Sequence, residues 1–126
     1  MTIDRINPEG MAAPIAPYTL VVRKDNIVTT AGMLAFDPSG NLFGDDIETQ
    51  TRQALSNVVT ALEAAGASVE DVVKVTVFIT DVANFPGMNA VYKEFFDETR
   101  PARSTLRVDL VLPDALVEIE ATAVVD

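Results

Sequence analysis

The sequence contains no histidine, no cysteine and no tryptophan among its 126 residues. Without histidine or cysteine it cannot form a Ser-His or Cys-His nucleophile pair, nor a zinc site with thiolate or imidazole ligands. The lack of cysteine also excludes a disulfide framework, so a cytosolic, cytoplasmic location is expected. Any catalysis must therefore use carboxylates, arginine, lysine, tyrosine, hydroxyl groups or backbone amides.

Long apolar runs and positive charge are also scarce. No apolar stretch approaches the roughly 18 residues that a membrane helix needs, and we expect no secretion signal at the N-terminus. Neither a glycine-rich phosphate loop nor the acidic spacing of a calcium loop is present. The chain has 9 basic and 19 acidic residues, a net charge of −10. Because such a chain repels polyphosphate, we expect no nucleic-acid partner and no membrane partner.

The length and the hydrophobic fraction of 48% suit one compact domain spanning residues 1–126. Hydrophobic periodicity and turn residues predict the element order ββαβαββ, without repeats or linkers. This order favours an α+β fold in which one antiparallel or mixed sheet carries two helices on a single face. The predicted elements are a hairpin over 18–33, a helix over 47–65, a strand over 72–80, a helix over 84–97 and two strands over 103–110 and 116–124.

Two of these segments carry clear patterns. In the first helix, apolar residues recur every three or four positions, Asp45 or Asp46 can cap the start, and Gly66 can end it. The other faces of the strands over 73–79 and 117–123 carry Thr, Phe and Glu rather than dense charge, and a half-apolar sheet face of this kind is a place for another subunit. The residues of the strand over 72–80 that are expected to share one face are Val73, Val75, Val77 and Ile79.

Arg103 and Glu118 are the candidate catalytic residues. Arg103 shares one strand face with Thr105 and Arg107, while Glu118 shares a face of the last strand with Glu120. Alternating polar residues usually mark the solvated side of a strand, and the pattern alone favours that interpretation. If the last two strands form a hairpin, Arg103 and Glu118 lie about 16 Å apart at ~3.3 Å per residue. The pair would then meet only across a subunit boundary.

Tyr18 and Asn89 are weaker candidates for ligand binding. Tyr18 is predicted to begin the first strand, where a tyrosine is usually a half-buried packing residue with its hydroxyl in water. Its functional alternative is a ring wall over a planar substrate. Asn89 lies in the second helix, where its amide can either face water or hold a small polar ligand.

Several segments carry motifs that are specific to one family. They are APIAPYT (13–19), TTAGMLAFDPSGNL (29–42), QTRQALSNVVTALEAAGAS (50–68), DVVKVTVFITDVANFPGMNAVYKEFF (71–96), RPARST (100–105) and LVEIEATAV (116–124). Together they resemble the RidA/YjgF family of reactive-intermediate imine and enamine deaminases. The resemblance spans nearly the whole chain, and PARS followed by VEIEA is its most specific part.

The resemblance implies a chorismate-mutase-like α+β fold assembled as a homotrimer, with sites in the clefts between subunits. It implies that Arg103 clamps the carboxylate of a small imine or enamine and that Glu118 positions the attacking water. The products are the oxo acid and ammonia, and no metal or organic cofactor is implied. The substrate-binding residues that it implies are Tyr18, Ala31, Gly32, Asn89 and Thr105.

Two departures from the family pattern bear on the substrate. Where the family usually has Ser-Gly-Gln, this chain has Ala31-Gly32-Met33, which removes a hydroxyl and an amide near the site. Thr105 replaces a frequent cysteine, a milder change because the backbone amide is kept. The segments LAFD, FITD and PDALVEI look like the 3-aminoacrylate deaminase branch. Imines of the 2-aminoacrylate type and enamines of the aminomuconate type are alternative substrates.

Two other classes of function compete with the deaminase. Ala31 and Met33 motivate a non-enzymatic regulator or holdase that binds small carboxylates in the same clefts. An endoribonuclease, a label often attached to relatives, is disfavoured by the net charge of −10 and the absence of histidine.

Overall fold

The computed structural model describes residues 2–126, in which six strands form one mixed sheet. The elements are β1 (Ile3–Ile6), β2 (Val21–Lys24), β3 (Ile27–Thr30), α1 (Ile47–Ala64), β4 (Val72–Ile79), α2 (Phe85–Phe96), β5 (Ala102–Arg107) and β6 (Val117–Val124). The strand order across the sheet is β1-β2-β3-β6-β4-β5. Strands β4 and β5 pair in parallel, and the other neighbours pair antiparallel. Neither helix of the described range is long and apolar enough to cross a membrane.

Helix α1 is fixed at both ends by local interactions. The Asp46 carboxylate accepts a hydrogen bond from the Thr49 N–H at 3.0 Å, which caps the N-terminus. At the C-terminus, Gly66 has a φ of 86°, a conformation that side chains disfavour, and the Ala67 N–H donates to the Leu62 carbonyl at 2.9 Å. The predicted caps at Asp46 and Gly66 are therefore confirmed.

The hydrophobic core lies between one face of the sheet and the two helices, which confirms the predicted α+β fold. Its fully buried residues include Val28, Val75, Val77, Val117 and Ile119 from the sheet and Leu55, Val58, Leu62, Met88 and Val91 from the helices. The second face of the sheet, called the open face below, is not covered by any element within residues 2–126. The open face includes Ile27, Thr76, Phe78, Leu106, Glu118, Glu120, Thr122 and Val124.

The predicted hairpin between the last two strands is wrong. Strand β4 lies between β5 and β6, pairing with β5 on one edge and with β6 on the other. The parallel β4–β5 pair is joined through α2, as a parallel connection requires a crossover. The loop between β5 and β6 therefore passes over the end of β4 instead of making a tight turn.

Two smaller differences concern the strands themselves. Strand β1 was not predicted: its sequence IDRI is short and carries two charges, and it pairs along β2 at the edge of the sheet. Val73 does not share a face with Val75, because the β4–β6 register shifts between Val72 and Lys74. This irregularity leaves the Val73 side chain 49% exposed.

Candidate active site

Arg103 lies on the helix side of the edge strand β5, against one face of α2. Its guanidinium carbon is 4.6 Å from the centroid of the Tyr92 ring and 5.8 Å from that of the Phe85 ring. Its Nη1 atom lies 3.9 Å from the sulfur of the fully buried Met88. In the range 2–126, no carboxylate forms an ion pair with Arg103. Apart from the Nη1–H that donates to this sulfur, the N–H donors of its planar fork are therefore available to a ligand carboxylate.

Glu118 projects from β6 onto the open face of the sheet. Its neighbours Val117 and Ile119 are fully buried on the opposite face. The carboxylate lies directly against Gly32, where a Cβ atom would stand 2.9 Å from Glu118 Cδ and closer still to Oε2. A side chain at residue 32 would therefore displace the carboxylate of Glu118 from its present position.

The environment of Glu118 favours proton uptake by its carboxylate. Burial raises the pKa of the Glu118 carboxyl group above its ordinary value, and the charge of Glu120 raises it further. Within the part of the chain that the structure describes, the carboxylate has no hydrogen-bond donor to oppose this shift. A carboxylate with a raised pKa is a better general base, so Glu118 is suited to accept a proton from water.

All the predicted site residues except Thr105 border one of two separate cavities. The larger, of about 640 Å³, will be called the Glu118 cavity, and its wall includes Tyr18, Ala31, Gly32 and Glu118. The smaller, of about 430 Å³, will be called the Arg103 cavity, and its wall includes Asn89, Tyr92 and Arg103. The two catalytic candidates are therefore not brought together within one chain. In residues 2–126, no group of three or more acidic side chains is arranged to hold a metal ion.

Arg103 and Glu118 lie on opposite faces of the sheet. Arg103 is in register with Val75 of β4, and Glu118 is in register with Phe78. Three residues along β4 and two strand spacings separate these positions, roughly 14 Å at ~3.3 Å per residue and ~4.8 Å per strand. The pair is thus widely separated, although the cause is the intervening β4 and not the hairpin register that the sequence suggested.

The remaining predicted residues differ in how they meet these cavities. Tyr18 is exposed and lies three residues before β2, not at the start of a strand as predicted. Ala31 is half-buried on the cavity wall, whereas Met33 is only 4% exposed and its backbone pairs with Ile119. Thr105 borders neither cavity, and its hydroxyl is buried without a hydrogen-bond partner in the described residues. Met33 also lines the Glu118 cavity, so both departures from the family pattern bear on this cavity.

Side chains of α2 around Arg103 were not among the sequence-based expectations. Phe85, Met88 and Tyr92 are spaced by three and then four residues, which places them on one face of the helix. That spacing was visible in the sequence. What the sequence did not show is that Arg103 lies against this face, because the position of β5 depends on the sheet order.

Gln50 was also missed, and it holds the loop that leads into β6. Its side chain is fully buried, and its Nε2 donates to the carbonyls of Gly44 at 3.1 Å and Asp114 at 3.0 Å. Its Oε1 accepts a hydrogen bond from the Leu116 N–H at 2.8 Å. Leu116 lies two positions before Glu118, so Gln50 helps to fix where β6 begins.

Comparison with known proteins yields a consistent group of relatives. The profile of the family described as "Endoribonuclease L-PSP" matches residues 10–125. A RutC family protein from Pyrococcus horikoshii is 44% identical over 116 residues, covering 91% of this chain and 92% of the relative. The Escherichia coli YjgF structure has a TM-score of 0.91 at 40% identity, covering 98% of this chain and 99% of its own. The structure of E. coli TdcF with bound serine has a TM-score of 0.91 at 39% identity, with the same coverage.

Proposed function

Because the chain belongs to the RidA/YjgF family, whose profile carries the description Endoribonuclease L-PSP, we propose that it is a hydrolytic deaminase of small enamines and imines. The substrate bears a carboxylate, and the products are the oxo acid and ammonia. The observation that carries this proposal is the Arg103 guanidinium, which rests on aromatic rings and has no ion-pair partner in residues 2–126. The serine bound to TdcF supports a small ligand with a carboxylate.

The proposed active site is shared between two copies of the chain in a homotrimer. One copy supplies Arg103 from the edge strand β5 and Asn89 from α2, and the next supplies Tyr18, Gly32 and Glu118. A separation of roughly 14 Å across two strands is too long for an arginine and a glutamate side chain on opposite faces to act on one small molecule. The uncovered, half-apolar open face supports burial against another copy.

In the proposed reaction, Arg103 binds the substrate carboxylate through two N–H groups and so orients the C=N carbon. An enamine first takes a proton from solvent on carbon and becomes the iminium ion, the protonated form of the imine. Glu118 then accepts a proton from water while the water oxygen bonds to the C=N carbon, which gives a carbinolamine. Glu118 returns the proton to nitrogen, the C–N bond breaks as ammonia leaves, and the hydroxyl proton passes to the Glu118 carboxylate as the carbonyl group forms.

The preferred substrate within this class is to be identified by comparing the rates at which the candidates are hydrolysed. The candidates are 3-aminoacrylate, the imine derived from 2-aminoacrylate, and aminomuconate-type enamines. Ala31 supplies a methyl group to the wall of the Glu118 cavity where the family usually has a hydroxyl. We expect this change to weaken binding of substrates that carry a polar group near the C=N carbon.

Imine decay tests the proposed activity. 2-Aminoacrylate is generated in situ from serine by a dehydratase, and its disappearance is followed with wild type, Arg103→Ala and Arg107→Ala. Arg107 lies on the same face of β5 but is exposed at its end, so it is the matched control. We expect wild type and Arg107→Ala to accelerate decay and Arg103→Ala to fail. If Arg103→Ala is as fast as wild type, the central role of Arg103 is wrong, and 3-aminoacrylate is tested in the same way.

Mixing two inactive variants tests the shared site. Arg103→Ala and Glu118→Gln are unfolded together at equal concentration and refolded, so that hybrid oligomers form. If each site takes Arg103 from one copy and Glu118 from the next, about a quarter of the sites are wild type, by random assembly around a closed ring. Activity near that fraction supports the proposal. No recovery in hybrids of the correct size contradicts the shared site.

A non-enzymatic carboxylate-binding protein is the second candidate, because Ala31 departs from the pattern on the cavity wall. Calorimetry would then detect binding of oxo acids, while none of the imines would be hydrolysed. RNA cleavage is less compatible with this chain, because its net charge is −10 and it has no histidine.

A further inference from the structure

One face of α2 forms a shelf for the Arg103 side chain. The residues of this face at successive turns are Phe85, Met88, Asn89 and Tyr92. The Tyr92 ring is the nearer of the two rings, with its centroid 4.6 Å from the guanidinium carbon, compared with 5.8 Å for Phe85. Both lie within the roughly 6 Å over which a cation is attracted to a ring face. Tyr92 is itself held by Phe96, whose ring centroid lies 4.8 Å away.

A ring contact restricts an arginine in a different way from an ion pair. A long arginine side chain on an edge strand has many rotamers, and a ligand that binds it must fix one of them. A carboxylate of the protein could fix the side chain, but it would occupy the N–H donors that a substrate carboxylate needs. A ring face attracts the cation through the flat side of the guanidinium and leaves the donors at its edge unused.

We propose that Tyr92 is a positioning residue that holds the guanidinium of Arg103 ready for the substrate carboxylate, an inference that rests on the deaminase function proposed above. The ring performs this role and the hydroxyl does not. The hydroxyl is buried, and in the described range it has no hydrogen-bond partner. Burial raises the pKa of the Tyr92 phenol above its ordinary value, an effect larger than the lowering by Arg103, so the group stays neutral.

Kinetics of three variants test the role of the ring. Tyr92→Leu removes the ring, Tyr92→Phe keeps it, and Val91→Ala is a control that weakens packing on the buried side of the same helix. From the usual strength of a cation–ring contact, we expect Tyr92→Leu to raise KM roughly 3- to 30-fold with little change in kcat. Tyr92→Phe, which keeps the ring, is expected to have the wild-type KM. Val91→Ala lowers the Tm without raising KM.

Three kinetic outcomes would overturn the proposal. One is a wild-type KM in Tyr92→Leu. Another is an equal rise of KM in Tyr92→Phe, which would assign the role to the hydroxyl. A rise of KM in Val91→Ala as large as that in Tyr92→Leu would also overturn it, because general loosening of the helix would then explain the effect.

A spectroscopic measurement separates this inference from the proposed activity. In protein labelled with ¹⁵N-arginine, the Arg103 Nε–H resonance, identified by its loss in Arg103→Lys, is expected to be shifted upfield by the Tyr92 ring current. The shift decreases in Tyr92→Leu, where only the more distant Phe85 ring remains, and persists in Tyr92→Phe. An unchanged resonance in Tyr92→Leu overturns the inference. If wild type hydrolyses no imine, the deaminase proposal fails, and the Kd for serine measured by calorimetry replaces KM. An equal Kd in wild type and Tyr92→Leu then overturns the positioning role.

Discussion

Replacing Gly32 by alanine tests whether the position of the Glu118 carboxylate governs activity. A Cβ atom at position 32 would lie 2.9 Å from Glu118 Cδ and 3.2 Å from Cγ, whereas ordinary contacts begin at 3.4 Å. The Cδ atom must therefore retreat by at least about 0.5 Å to relieve the contact. The Oε2 atom is nearer than Cδ to the new methyl group and must move further, on the order of 1 Å.

The expected effects on stability and on activity differ in size. Glu118 is half-buried on the open face, so its carboxylate can turn away at the cost of an unfavourable rotamer, about 0.5–1.5 kcal/mol. Replacing glycine by alanine offsets part of this, by about 0.4–1 kcal/mol, because it restricts the unfolded chain. The net change in the free energy of unfolding is thus within about 1 kcal/mol. Displacement of a catalytic base by ~1 Å can cost roughly 100-fold in rate.

The assay is imine decay, combined with thermal unfolding of the same preparations. Gly40→Ala is the matched control: Gly40 has a φ of 85°, its nearest heavy atom is the Ala12 Cβ at 4.0 Å, and it borders neither cavity. The strained backbone should cost about 1–2 kcal/mol of stability and leave the rate unchanged. Wild-type kcat in Gly32→Ala, or an equal loss of rate in Gly40→Ala, would refute the reasoning that the carboxylate position limits the reaction.

Two further predictions concern Glu118 and Gln50. Because burial and Glu120 raise the pKa of Glu118, kcat/KM should fall on acidification at a pH above the ordinary pKa of a carboxyl group. Glu120→Gln removes a like charge, which lowers the pKa of Glu118 and moves the acidic limb of the pH–rate profile to lower pH. An acidic limb that does not move would contradict the assignment of Glu118 as the base. Gln50→Leu removes three hydrogen bonds and leaves buried backbone groups unpaired, so urea unfolding should show a loss of about 2–4 kcal/mol. Arg52→Ala, which breaks only an exposed ion pair with Glu94, should have no measurable effect on stability, and similar losses in both variants would contradict the role of Gln50.

The helices could be predicted from the sequence because their signals are local. The apolar stripe of α1, its cap at Asp46 and its glycine at position 66 all act within a few residues of one another. The same holds for the hairpin of β2 and β3, whose turn at Asp25 and Asn26 joins strands that pair directly. Capping, apolar periodicity and turn residues predict these elements independently of how the rest of the chain folds.

The sheet order could not be derived in the same way. Sequential strands pair more often than not, so a hairpin was the natural expectation for the last two strands. Insertion of β4 between them depends on non-local pairing, and its one sequence signal is that a helix connects β4 to β5. Strand β1 could not be predicted from its sequence, since a four-residue edge strand with two charges has no apolar alternation.

Some features of the candidate site could likewise be predicted from local sequence motifs, whereas others depend on non-local packing. Arg103 and Glu118 were identified by motifs, whereas the contact between Gly32 and the Glu118 carboxylate is visible only in the folded structure. Tyr92 has an ordinary place in the sequence, on a helix face whose spacing is typical of core packing. Its relation to Arg103 appears only when the parallel β4–β5 pair brings β5 alongside α2.

The position of β4 has a consequence for how function and assembly are linked. Since β4 separates β5 from β6, no change of side-chain rotamer can bring Arg103 and Glu118 to one small substrate within a chain. If both residues act in one reaction, each site must be completed by a second copy. Substitutions on the open face, for example at Leu106 or Val124, would then abolish activity through assembly even though these residues border neither cavity. Loss of activity can therefore be assigned to catalysis only when the oligomeric state of the variant is measured alongside it.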